Sequence, residues 1–141
     1  MKSPKDEAQE LVDELLPFAK RMLAQHGEFH PYGGYMRADT SIVHAGAIDQ
    51  ATDHPRATDL VTSLRNDFSR RARREGIRAA ALVLDVRVTP PNQAEKADAI
   101  QVILEHRDSY CAEVFFPYVI SDDGSLTFGM PFAQRGEHTI F

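Results

Sequence analysis

The chain has 141 residues, a length that suits one domain, and its 43% hydrophobic and 26% charged residues describe an ordinary globular protein rather than a disordered or fibrous one. A net charge of -5 and a pI near 5.6 argue against nucleic acid or an anionic membrane as the main partner, because both reward positive charge. The single cysteine, Cys111, excludes an intrachain disulfide and any cysteine-based zinc cluster; no apolar run approaches the roughly 20 residues that span a bilayer. The N-terminal residues also lack the apolar core of a secretory signal, so the expectation is one soluble, cytoplasmic domain over residues 1–141.

The first segment reads as an amphipathic helix. Ser3 suits the N-cap, Pro4 the first helical position, and Asp6 and Glu7 the positive end of the helix dipole. Leu11, Leu15, Phe18 and Met22 form one apolar row, and Val12, Leu16, Ala19 and Leu23 the adjacent one. Pro17 removes a backbone donor. At about 100° per residue it falls opposite the apolar stripe, where it bends a helix without ending it. Gly27 closes the helix in a left-handed conformation.

Segments 31–37 and 41–45 predict two short strands around a tight turn, and hairpin geometry accounts for the pair Gly33-Gly34. A second helix follows Asp53-His54-Pro55, with Ala57, Leu60, Val61, Leu64, Phe68 and Ala72 as its stripe and Gly76 as its stop. From Ile77 the period changes to two. Residues 77–88 start apolar on both faces, as a central strand does, until Thr89-Pro90-Pro91-Asn92 breaks the pattern. Ile100, Val102, Leu104 and His106 share a face of the next strand, and Ala112, Val114, Phe116 and Tyr118 share one in the strand after it. Matching these faces sets Leu104 opposite Val114 and requires an odd-length or bulged loop. Leu126–Phe128 adds a short strand beyond the turn at Ser121–Gly124. The tail from Gly129 is irregular, yet Met130, Phe132, Ile140 and Phe141 need somewhere to pack. The order α-β-β-α-β-β-β(-β) predicts an α+β domain, an antiparallel sheet of five to six strands with two helices on one face.

Residues that carry chemistry are few. His26-Gly27-Glu28-Phe29-His30 departs from a zinc-protease helix motif, because Gly27 stands where the glutamate belongs and the segment is a helix exit. His106 lies on an apolar strand face and reads as a hydrogen-bonded core histidine, or as the partner of Cys111 in a thiolate pair. The second reading lacks an orienting group and an oxyanion site, so a small buried cysteine is the better account. Arg65, Arg70, Arg71, Arg73, Arg74 and Arg78 cluster near the end of the second helix, where they compensate its dipole or form an anion site; the former is favoured. Asp85, Glu105 and Glu113 lie on strands, in reach of Arg87 and Arg107 as cross-strand partners.

The element order is similar to that of profilin-like and roadblock-like modules. As a set, Leu16-Pro17-Phe18-Ala19, His26-Gly27-Glu28-Phe29, Pro31-Tyr32-Gly33, Val88-Thr89-Pro90-Pro91, Glu105-His106-Arg107 and Phe116-Pro117-Tyr118 resemble a group of short bacterial hypothetical proteins. That resemblance implies a complete bacterial domain and brings no activity, cofactor or site residue with it.

With no complete catalytic, metal or nucleotide constellation, the expected function is that of a non-enzymatic interaction or regulatory domain, of the immunity or accessory kind. It would bind another protein and use no metal or other cofactor. The competing expectation is a small-molecule-binding protein or minor hydrolase, its pocket between helices and sheet near His44, His106 and Cys111. Ile103, Phe115 and Val119 also make the far side of the sheet apolar. Either the tail or a second subunit must cover them, and a twofold dimer is the simplest closed solution.

Overall fold

A computed structural model describes residues 2–46 and 57–141. Helix α1, Pro4–His26, starts with a full capping box: Asp6 N–H donates to the Ser3 hydroxyl, and Ser3 N–H donates to the Asp6 carboxylate. It runs through Pro17, which is exposed, and ends at Gly27 with φ 75°. The hairpin follows as β1, Tyr32–Met36, and β2, Ile42–Ala45. Helix α2 spans Ala57–Arg74; the start signal Asp53-His54-Pro55 lies outside the described residues. Strands β3, Ala79–Val88, β4, Ala97–His106, and β5, Tyr110–Ile120, form the meander, and β6, Leu126–Phe128, and β7, Phe132–Arg135, finish it.

The α+β class and the element order are as expected. All pairs are antiparallel, in the order β2-β1-β3-β4-β5-β6. The seventh strand, unannounced by the sequence, shares the outer edge of β5 with β6: Ala112–Phe115 pair with β7 and Tyr118–Ile120 with β6. The β4–β5 loop is odd in length, residues 107–109, with Ser109 at φ 67°. Its register differs from expectation by two residues, since Leu104 faces Ala112 and Val102 faces Val114. A two-residue slip keeps every side chain on its face, so the apolar pattern alone does not distinguish the two registers.

The helices do not share a face. Leu11, Leu15 and Ala19 of α1 pack against Tyr32, Met36, Ala81, Val83 and Val102, whereas Phe68 of α2 packs against Tyr35, Ala80 and Leu82. The cause is β3, whose first five residues are buried on both sides and so need a cover on each. Beside it, β1 carries the glycine pair for a reason other than hairpin geometry. A Cβ on Gly33 would lie 2.2 Å from the Ala81 carbonyl oxygen and 3.2 Å from the Phe68 ring; one on Gly34 would lie 2.8 Å from both Leu15 and the Val43 carbonyl oxygen. The glycines let both helices close on the same strand. Each fully buried Leu in these two cores contributes about 1.5–3 kcal/mol of transfer free energy.

Candidate functional site

At its end β4 runs Leu104-Glu105-His106, and strand alternation sends Glu105 and His106 to opposite faces. Each becomes the centre of a buried polar cluster. On the α1 face, Glu7 stands four residues before Leu11 and therefore at the head of the buried row, where it is 3% exposed. The Arg78 guanidinium donates to both of its carboxylate oxygens at 3.0–3.1 Å. His106 is fully buried and bonds Glu7 through Nε2 at 2.8 Å, while its Nδ1 accepts from Asp108 N–H. The accepting Nδ1 places a proton on Nε2, which makes the imidazole a donor to Glu7. Burial pushes the Glu7 carboxyl up, but the hydrogen bonds from Arg78 and His106, with the guanidinium charge, outweigh it and hold the group below its ordinary value. Both ring nitrogens are occupied, so His106 has no free position from which to act as an acid or base on a substrate.

On the α2 face, Glu105 is 1% exposed and receives the chain tail. Its Oε1 accepts from Thr139 N–H and Ile140 N–H at 2.9 Å, and its Oε2 accepts from the Thr139 hydroxyl at 2.8 Å. Arg65 of α2 lies 3.9 Å from Oε2 and also donates to the Thr139 hydroxyl oxygen. Cys111 is the cross-strand neighbour of Glu105, and His138 Nδ1 lies 3.7 Å from Glu105 Oε1. Burial, then the Glu105 carboxylate, pushes the Cys111 thiol up, away from nucleophilic use at neutral pH. The potential ligand atoms of Glu105, Cys111 and His138 all lie within 4.8 Å of one another.

A third pair joins β3 to β5: the Tyr118 hydroxyl donates to Asp85 Oδ1 at 2.5 Å. Burial pushes both groups up, and the Asp85 carboxylate raises Tyr118 further. No buried side-chain nitrogen or oxygen among the described residues lacks a hydrogen-bond partner. Near this end of the sheet is an apolar hollow of about 220 Å³, lined by Pro90, Gln93, Ala97, Pro117, Tyr118, Val119, Gly129 and Met130.

The pocket expected at His44, His106 and Cys111 is not assembled. His44, on β2, pairs in register with Gly34 of β1, is exposed, and bonds Glu14 of α1 at 3.1 Å. Three strand spacings, about 14 Å, separate β2 from β4. Cys111 is on the opposite face from His106, because odd positions of β5 share the α2 side with Glu105. The surface expected at Ile103, Phe115 and Val119 is divided. Ile103 packs in the cluster that holds Ile140 and Phe141, and Phe115 is 5% exposed beneath Phe132, whose ring stacks on it at 4.8 Å. The tail thus takes the place offered to a second subunit at these two residues, and Val119 stays open. The arginine cluster is also committed in part, Arg71 to Asp67, Glu75 and the Tyr35 ring, and Arg78 to Glu7.

Glu7 was legible as a member of the apolar row, although the sequence assigned it only to the dipole. The tail residues His138 and Thr139 carry no periodic signal. No protein-family model, curated protein or solved structure matches the chain.

Proposed function

We propose that this domain is a non-catalytic interaction module that binds another protein through the apolar hollow beside β5 and β6. Exposure is the observation that carries the reading: Met130 is 85% and Val119 62% exposed on the rim of a hollow walled by Pro90 and Pro117. Ile120 and Phe128, on the α1 face of the same strands, are also exposed. Grouped exposed apolar side chains mark contact surfaces, and a methionine adapts its shape to a partner. Asp122 and Asp123 follow in the next turn, and the chain carries a net charge of -5. The complementary partner therefore presents an apolar anchor flanked by Lys or Arg.

The groups a hydrolase pocket would use, His44, His106 and Cys111, lie apart, His106 and Cys111 on opposite faces, and both histidines are engaged in internal bonds. Paired capture from native lysate tests the proposal, with the wild type set against the double variant Val119→Asp, Met130→Asp. Both changes are on exposed residues, so the fold should survive, as far-UV circular dichroism will verify. A partner held by the wild type and lost by the variant is the expected result. Identical capture by both, or a large thermal shift with a metabolite and no protein partner, overturns it. Light scattering that shows a wild-type dimer split by the variant would assign the hollow to a second copy instead.

A further inference from the structure

We infer that Glu105, Cys111 and His138 form a binding site for a zinc-class divalent cation, with the fourth coordination position open to water. The three side chains come from β4, β5 and the segment after β7, and their ligand atoms already lie within 4.8 Å of one another. Tetrahedral zinc, with bonds of 2.0–2.3 Å, needs ligand atoms about 3.3–3.8 Å apart, so closure asks for shifts of about 1 Å. His138 can supply that shift, since its side chain is 41% exposed.

The frame that holds the site is independent of any ion. Gly136 N–H bonds the Cys111 carbonyl oxygen at 3.4 Å, and a Cβ at Gly136 would lie 3.0 Å from Ala112 N, so the glycine brings the tail against β5. Three residues later Thr139 N–H is fixed on Glu105. His138 is bracketed between these two anchors. Glu105 itself is oriented by three hydrogen bonds, the kind of outer support that metal-ligating carboxylates use. A thiolate and an imidazole beside one carboxylate favour zinc over magnesium or calcium, which prefer oxygen alone. Arg65, 3.9 Å from Glu105, opposes the cation and limits the affinity. A bound ion would tie the tail to the two strands it crosses.

The test uses tag-free full-length protein, titrated with Co2+ as a spectroscopic probe and with Zn2+ in competition. The expected result is one equivalent bound, a thiolate-to-cobalt charge-transfer band in the near ultraviolet, and displacement by Zn2+. Cys111→Ser should abolish the band. His138→Ala, an exposed change that leaves Glu105 in place, should weaken binding about tenfold or more. Zinc should also raise the melting temperature of the wild type and not that of Cys111→Ser. Absence of the band overturns the site, and so does binding that both variants retain at wild-type strength, which assigns the metal to other residues.

Discussion

Glu105 and His106 are adjacent in the chain, yet the two clusters they anchor bury a carboxylate by different physical means. On the α1 face the charge of Glu7 meets a guanidinium from the residue just before β3 and an imidazole from the end of β4. On the α2 face the carboxylate of Glu105 meets mainly neutral donors, two backbone N–H groups and a hydroxyl, all from one tail segment. The first arrangement fastens a helix to the sheet through charge. The second converts a buried charge into a receptor for backbone. The difference shows that a buried carboxylate can hold either a rigid element or an irregular one, depending on what supplies the donors.

The comparison breaks most visibly at Arg78. Replacing it by Met strands a buried carboxylate with one neutral donor, and should cost about 3–5 kcal/mol in urea unfolding. A loss below about 1 kcal/mol would mean that His106 alone satisfies Glu7. Glu105→Gln should cost less, about 1–3 kcal/mol, because the amide keeps one acceptor and turns an NH2 toward donors. Its effect should also be local: amide exchange at Thr139 and Ile140 accelerates, while the β3–β4 ladder stays protected. Global loosening would show instead that the tail is part of the main cooperative unit.

The smallest effect is one of pH. The folded Glu7 carboxyl lies below its ordinary value of 4.5, so the stability it contributes is present above that pH and is lost as pH falls through the folded value. Asp85 has the opposite sign. Burial raises it above 3.8, so its contribution is present at low pH and is lost as pH rises through the folded value. Glu7→Gln should flatten the acid limb of a stability profile, and Asp85→Asn should flatten the limb just above it. Unchanged limbs in both variants would remove these groups from the pH dependence.

The parts of the fold that rest on local chemistry were legible in the sequence. Ser3, Pro4 and Gly27 bound α1 because caps depend on a few adjacent residues. The doubly apolar start of β3 marked a central strand; what it also implied, a helix on each face, follows only when the two stripes are assigned to different sides. Glu7 could be placed by its spacing from Leu11. Glu105 could not, because its donors lie 34 and 35 residues further along an irregular tail. The same distance hid His138 beside Cys111, and the burial of Phe115 beneath Phe132 depended on a strand too short to announce itself.

The contacts of Glu7 also set a clock. Its partners Arg78 and His106 lie 71 and 99 residues downstream. At a synthesis rate of about 5–20 residues per second, α1 emerges about 5–20 seconds before His106 exists to receive it. For that interval the carboxylate of Glu7 waits for its histidine, while β1 and then β3 are made and can meet the apolar row. Closure cost grows only slowly with loop length, so the pairing of Glu7 with His106 is set by when β4 is made and not by the span between them. The first element made thus has its buried charge fully paired only by the fourth strand.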